Sequence, residues 1–269
     1  MTVTNSHPSF PLYEAIALER LANFAVDKQD WNEASRLYTE SLCIRRAADG
    51  SSDATYALIL DKLAAVLIEQ GKLKEAMEYL NQALPILEAA FYPSHGSIAA
   101  ILEHQGDCFV GESKFEEAEP LYKRAADIFI SSVTMENRMA LRALYKLGKV
   151  YISLSRAAEA KIALQKALKY VDTPLGPLAE FRYQLALAAI QLNEMSEARE
   201  FLHKAAADFK QRSNYARVAD CSKSLANVCS QANETSEAEE WLRQSVLYEQ
   251  MAVNAPYPHD IFLATLLRA

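Results

Sequence analysis

The chain has 269 residues, 51% of them hydrophobic, 23% charged and 9% aromatic, which suits one large soluble domain or two ordinary ones. Only 7 glycines and 9 prolines are present, too few for the turns of sandwiches, propellers or glycine-rich nucleotide-binding folds. A net charge of −7, from 28 basic and 35 acidic side chains, disfavours nonspecific binding of nucleic acid or membrane surfaces.

Residues 1–11 carry no lysine, arginine or signal-length apolar run, and read as an extended or disordered N-terminal segment. Beyond them a short phrase recurs, a Glu-Ala pair whose alanines are Ala34, Ala76, Ala118, Ala160, Ala198 and Ala238. The intervals are 42, 42, 42, 38 and 40 residues, the signature of a repeat protein. Twelve residues before each alanine stands a small residue: Ala22, Ala64, Gly106, Gly148, Ala186 and Ala226. Four residues after it stands a large apolar one: Tyr38, Leu80, Tyr122, Leu164, Leu202 and Leu242. Seven after it comes a small one again, from Ser41 to Ser245. Small slots let two helix backbones approach, and large ones fill the seam between them.

First helices are expected over roughly 13–28, 56–70, 97–111, 139–153, 178–192 and 216–231. Second helices are expected over roughly 31–47, 73–91, 115–132, 156–170, 195–211 and 235–251. Short polar turns join each pair, as at Glu69-Gln70-Gly71-Lys72, where glycine can supply a left-handed helix end. Pro85 and Pro120 fall inside second helices and should bend them slightly. A last apolar helix is expected over 259–268, carrying Ile261, Phe262, Leu263, Leu266 and Leu267.

This register resembles the tetratricopeptide repeat. The 42-residue spacing and the run from Phe115 to Ala125 resemble the kinesin-light-chain subtype, over about residues 12–251. The resemblance implies an all-α, right-handed superhelical solenoid of about six hairpins plus a C-terminal helix. The corresponding domain plan is a solenoid over 12–254 and a capping or exchange helix over 255–269. It also implies that first helices line a concave groove that holds a peptide.

The groove slots follow from the alanine register. In the first three repeats they hold Glu19, Asn23, Asp27, Asp61, Glu69, Glu103 and Asp107, without a basic residue. In the fourth they hold Tyr145 and Lys149, flanked by Arg142; the fifth offers Tyr183 and the sixth Asn227. Charge follows the same division: residues 1–134 carry 11 basic and 20 acidic side chains, net −9, whereas 135–269 carry 17 and 15, net +2. The expectation is a polarised groove, acidic in repeats 1–3 and basic-aromatic in repeats 4–5, with Tyr145 and Tyr183 as anchors.

No nucleotide-loop, zincin or nucleophile-elbow string occurs, and the five histidines lack metal-ligand spacing. His104, three residues from Asp107, comes closest to a site and reads as a solvated groove histidine. Cys43, Cys108, Cys221 and Cys229 are dispersed, as reduced thiols in the cytoplasm would be. Charges interrupt every apolar run before membrane-span length. The sequence therefore predicts a non-catalytic, cytoplasmic scaffold or adaptor without metal or cofactor. It is expected to bind a protein or peptide partner carrying a basic segment, not nucleic acid or membrane. Two further readings stay open: self-assembly, including a homodimer through residues 259–268, and a peptide-sensing regulator.

Overall fold

The computed structural model describes residues 10–48, 53–131, 137–169 and 178–254. Among them are twelve helices and no strand, paired into six antiparallel hairpins. The hairpins are α1 (Phe10–Asp27) with α2 (Trp31–Ala48), α3 (Ala54–Glu69) with α4 (Leu73–Ala90), and α5 (Gly96–Gly111) with α6 (Phe115–Ser131). Next come α7 (Asn137–Ser153) with α8 (Ala157–Leu168), α9 (Leu178–Gln191) with α10 (Met195–Gln211), and α11 (Tyr215–Gln231) with α12 (Thr235–Asn254). Helix α1 begins at Phe10, so Phe10 and Pro11 belong to it and not to the expected N-terminal segment. Both internal prolines lie where the sequence puts them, Pro85 in α4 and Pro120 in α6. The expected helix over 259–268 lies outside the described residues.

Each hairpin turn is built the same way. Five residues before each register alanine the backbone enters the left-handed region, at Gln29, Gly71, Ser113, Ser155, Asn193 and Asn233. The amide of the next residue then reaches back to a carbonyl near the helix end: Asp30 to Ala25 at 2.9 Å, Lys114 to Phe109 at 2.8 Å, Glu234 to Cys229 at 2.9 Å. This 6→1 bond satisfies a carbonyl that the helix end leaves without a partner. Only Gly71 is the residue type that adopts this conformation without a Cβ penalty. Asp30 adds an N-cap, its Oδ1 accepting from the Glu33 amide at 3.1 Å.

The small-and-large register appears as packing. All six register alanines are buried, as are the small residues seven positions later. A Cβ placed on Gly106 would lie 2.8 Å from Cε1 of Tyr122, and one on Gly148 2.7 Å from Leu164. Those two glycines make room for large neighbours on the partner helix. The chain divides into two compact units, Met1–Thr134 and Met135–Ala269, with three hairpins each. Within a unit the second helix of one hairpin packs against the first helix of the next, α2 on α3, α4 on α5, α8 on α9 and α10 on α11. The same arrangement brings α3 beside α5, and α7 beside α9.

Candidate functional site

In the first unit, polar side chains of the first helices make specific bonds. On α1, Glu19 accepts from Arg45 Nε at 2.7 Å and from the Ser41 hydroxyl at 2.8 Å, both on α2. Asn23 Oδ1 accepts the Tyr38 hydroxyl at 2.7 Å and lies 3.4 Å from Lys62 Nζ on α3. The third hairpin repeats this device, with the Tyr122 hydroxyl donating to Asp107 Oδ1 at 2.7 Å. Burial, followed by the charge and hydrogen bond of Asp107, holds the Tyr122 phenol well above its ordinary range. Asp61 on α3 meets His104 Nδ1 on α5 at 2.7 Å, joining neighbouring hairpins. His104 is thus half-buried and bonded to the neighbouring hairpin, where the sequence reads it as a solvated groove histidine.

The open surface of this unit is narrower than the sequence register implies. Asn23, Asp27 and Glu69 are exposed, and Glu19, Asp61 and Asp107 are half-buried. Glu103 is 0% exposed, which corrects its expected place on the open groove. Its charge acts on the Tyr122 phenol, which puts it toward the seam between α5 and α6. The slot seven residues before each register alanine is exposed in all six hairpins, at Asp27, Glu69, Gly111, Ser153, Gln191 and Gln231.

The second unit departs further. Tyr145, expected as an exposed anchor, is 2% exposed. Its ring centre lies 4.9 Å from that of Phe181 and its hydroxyl 3.4 Å from Glu180 Oε2. Because α7 and α9 pack side by side, this slot faces the seam and not the open surface. Arg142 is buried too, against the expectation of an exposed basic flank.

Buried Glu180 on α9 receives both arms of Arg217 on α11, Nε to Oε1 at 2.7 Å and Nη2 to Oε2. Arg217 also reaches Asp220 at 2.8 Å and stacks 4.3 Å from the Tyr183 ring centre. Burial opposes the Arg217 charge, but the hydrogen bonds and charge of Glu180 outweigh it and raise its pKa. Burial raises the half-buried Tyr183 phenol as well. Lys149 is exposed, its Nζ 5.8 Å from the Tyr145 ring centre, and Asn227 is exposed and accepts from Gln231 at 3.1 Å.

The Glu180–Arg217 pair had a signal in the sequence. Eighteen residues before the register alanines stand Ile16, Leu58 and Ala100 in the first three hairpins, but Arg142, Glu180 and Asp220 in the last three. A slot that changes from apolar to charged marks a seam that has become polar.

Among the described residues, one group could offer three ligand atoms to a metal: Cys229, Glu234 and Glu237. The Arg199 guanidinium occupies that position, bonded to Glu234 and 3.7 Å from Glu237, with Cys229 Sγ at 3.6 Å. That guanidinium supplies the positive charge that a metal ion would otherwise bring to these groups. No helix among the described residues is long and apolar enough to cross a membrane.

The family model for the Tetratricopeptide repeat matches residues 13–89 and 97–171, more than half of the chain. No curated protein matches. Among solved structures, one similar chain holds TPR-like repeats assigned to a kinesin light chain of Podosopora anserina. It has a TM-score of 0.59 and 20% identity, covering 73% of this chain and 95% of that one. BtubC (BKLC) of P. vanneervenii aligns with a TM-score of 0.63 and 18% identity, covering 79% of this chain and 93% of the other. YrrB, a TPR protein with an unusual peptide-binding site, aligns with a TM-score of 0.55 and 19% identity, covering 79% and 96%. At these identities the likeness is one of fold.

Proposed function

Since the chain belongs to the tetratricopeptide repeat family, we propose that it is a non-catalytic adaptor whose first unit holds a basic segment of another protein. The observation that carries this reading is the open face of α1 and α3. Exposed Asp27 and Glu69 lie in the slot that is open in every hairpin, with Asn23 exposed beside them. The surrounding unit carries a net charge of −9. Such a face attracts lysine- and arginine-rich chains and repels acidic ones. In the second unit, exposed Lys149 and Asn227 and half-buried Tyr183 keep accessible surface and offer polar and basic contacts of their own. The buried free thiols Cys108, Cys221 and Cys229 accord with a reducing, cytoplasmic setting.

The test is fluorescence anisotropy with an array of labelled Lys/Arg-rich peptides at low salt, on the full chain and on Asp27→Lys/Glu69→Lys. Binding should weaken at least about tenfold in the variant and fall with added salt, because exposed charges are screened. Unchanged affinity in the variant would refute the acidic-face reading. Binding of acidic peptides instead would reverse it.

A further inference from the structure

Three positions around the small residue of a first helix are buried where a second helix packs in front of it. On α3 they are Ile59, Leu63 and Val66, 1–3% exposed. The corresponding positions of α5, α9 and α11 are 0–6% exposed. Each of these helices lies against the second helix of the preceding hairpin. Helix α1 has no helix before it among the described residues. There the same positions are Ala17, Leu21 and Phe24: Ala17 is exposed, Leu21 is 55% exposed and Phe24 61%. Tyr13, one turn before Ala17, is exposed as well. The register thus leaves an apolar stripe of α1 in water, and such a patch marks a contact surface.

What would cover it is written in the order of its residues. Glu14, Ala17, Leu21, Phe24 and Lys28 follow one another at intervals of 3, 4, 3 and 4, the spacing of a seam between two paired helices. Glu14 and Lys28, at its two ends, are both exposed. The Lys28 amide still bonds the Phe24 carbonyl at 3.1 Å, which keeps Lys28 on the helical path. Its Nζ lies 5.4 Å from the Phe24 ring centre. The order is complementary to its own reverse. Two antiparallel copies centred on Leu21 set Leu21 against Leu21, small Ala17 beside bulky Phe24, and Glu14 opposite Lys28. Two-fold symmetry makes the last two contacts twice. A parallel pairing would instead oppose Glu14 to Glu14 and Lys28 to Lys28. Among residues 1–9 only Met1, Val3 and Pro8 are apolar, a poor match for a stripe of leucine and aromatic side chains.

We infer that α1 is the interface of an antiparallel, two-fold homodimer, with Ala17, Leu21 and Phe24 at its centre and Glu14–Lys28 pairs at its rim. A single helix stripe places it among small interfaces, below about 1,200 Å² in total, so the dimer dissociates on dilution. Asn23 and Asp27 lie about 120° or more around α1 from Leu21, so pairing leaves that side of the helix open.

The test is sedimentation equilibrium of the full chain and its variants over roughly 1–100 µM, where a weak dimer forms and dissociates. The mass of the unaltered chain should rise from monomer toward dimer. Leu21→Asp/Phe24→Asp should stay monomeric with an unchanged thermal midpoint by circular dichroism, because both side chains are exposed in the single chain. Glu14→Lys and Lys28→Glu should each weaken pairing at least about tenfold, since each sets like charges together twice. Glu14→Lys/Lys28→Glu, or an equimolar mixture of the two single variants, should restore it. A monomer at every concentration, or a dimer that survives Leu21→Asp/Phe24→Asp, would overturn the inference. Charge reversals that fail to recover in combination would overturn the antiparallel pairing. A chain that pairs only after residues 1–9 are removed would place the cover on that segment and overturn it equally.

Discussion

Arg217 grips Glu180 across a separation of 37 residues, and this bidentate pair ties α11 to α9 in the seam where Tyr145 is also buried. Two charges taken out of water hold only while they are paired. Replacing Arg217 by Met leaves the Glu180 carboxylate uncompensated and should cost about 3–5 kcal/mol. Glu180→Met/Arg217→Met should recover most of that loss, because an apolar pair of similar volume suits the same seam. Urea denaturation of the two variants measures both values; equal instability in both would refute the pairing argument.

The left-handed turns predict gains. Gln29, Ser113 and Ser155 hold positive φ with a Cβ, which costs roughly 1–2 kcal/mol per residue. Changing any of them to Gly should raise stability by up to about 1 kcal/mol, part of the relief being offset by a freer unfolded chain. Gly71→Ala should do the opposite. Chemical denaturation midpoints with unchanged slopes would check both signs.

Two hydroxyls with the same geometry face different acceptors. Tyr38→Phe removes a neutral bond to Asn23 and should cost about 0.5–1.5 kcal/mol. Tyr122→Phe removes a bond to the Asp107 carboxylate and should cost about 1.5–3 kcal/mol. Urea midpoints of the two variants should therefore fall in that order, with the Tyr122 variant the less stable.

Thiol chemistry should divide the cysteines. Cys43 is exposed, whereas Cys108, Cys221 and Cys229 are buried. Burial pushes the Cys108 and Cys221 thiols up to about 12 and raises Cys229 as well. A disulfide reagent at pH 8 should therefore modify one thiol in the native chain and four after denaturation.

Burial of these groups also governs stability at alkaline pH. Unfolded thiols release their protons near about 8.5 and phenols near about 10. In the folded chain Cys108, Cys221 and Tyr38 stay protonated to about 12. Native protein then binds more protons than unfolded protein above about pH 9, so stability is whole below that point and falls toward about 12. Denaturation midpoints that stay flat over this window would contradict the burial of these groups.

Hairpin number, helix order and the contacting small and large positions were legible in the sequence, because backbone approach at Gly106 or Ala186 is a local steric demand repeated at a fixed interval. Each register alanine marks its own turn for the same reason. The exposed positions Asp27 and Glu69 were also readable, since one helix's periodicity decides which side its own partner helix leaves open. Tyr145 and Glu103 were not. They occupy the same slot as half-buried Asp61 and Tyr183, and their burial depends on what the neighbouring elements bring against them. Phe181 and Glu180 close over Tyr145, while His104 bonds Asp61 at the margin. By itself the sequence determined the repeat and its hairpin geometry, which follow from the spacing of side-chain size along each helix. Only the tertiary structure decided which polar groups face water and which are sealed in seams, because that depends on how successive helices and hairpins pack against one another.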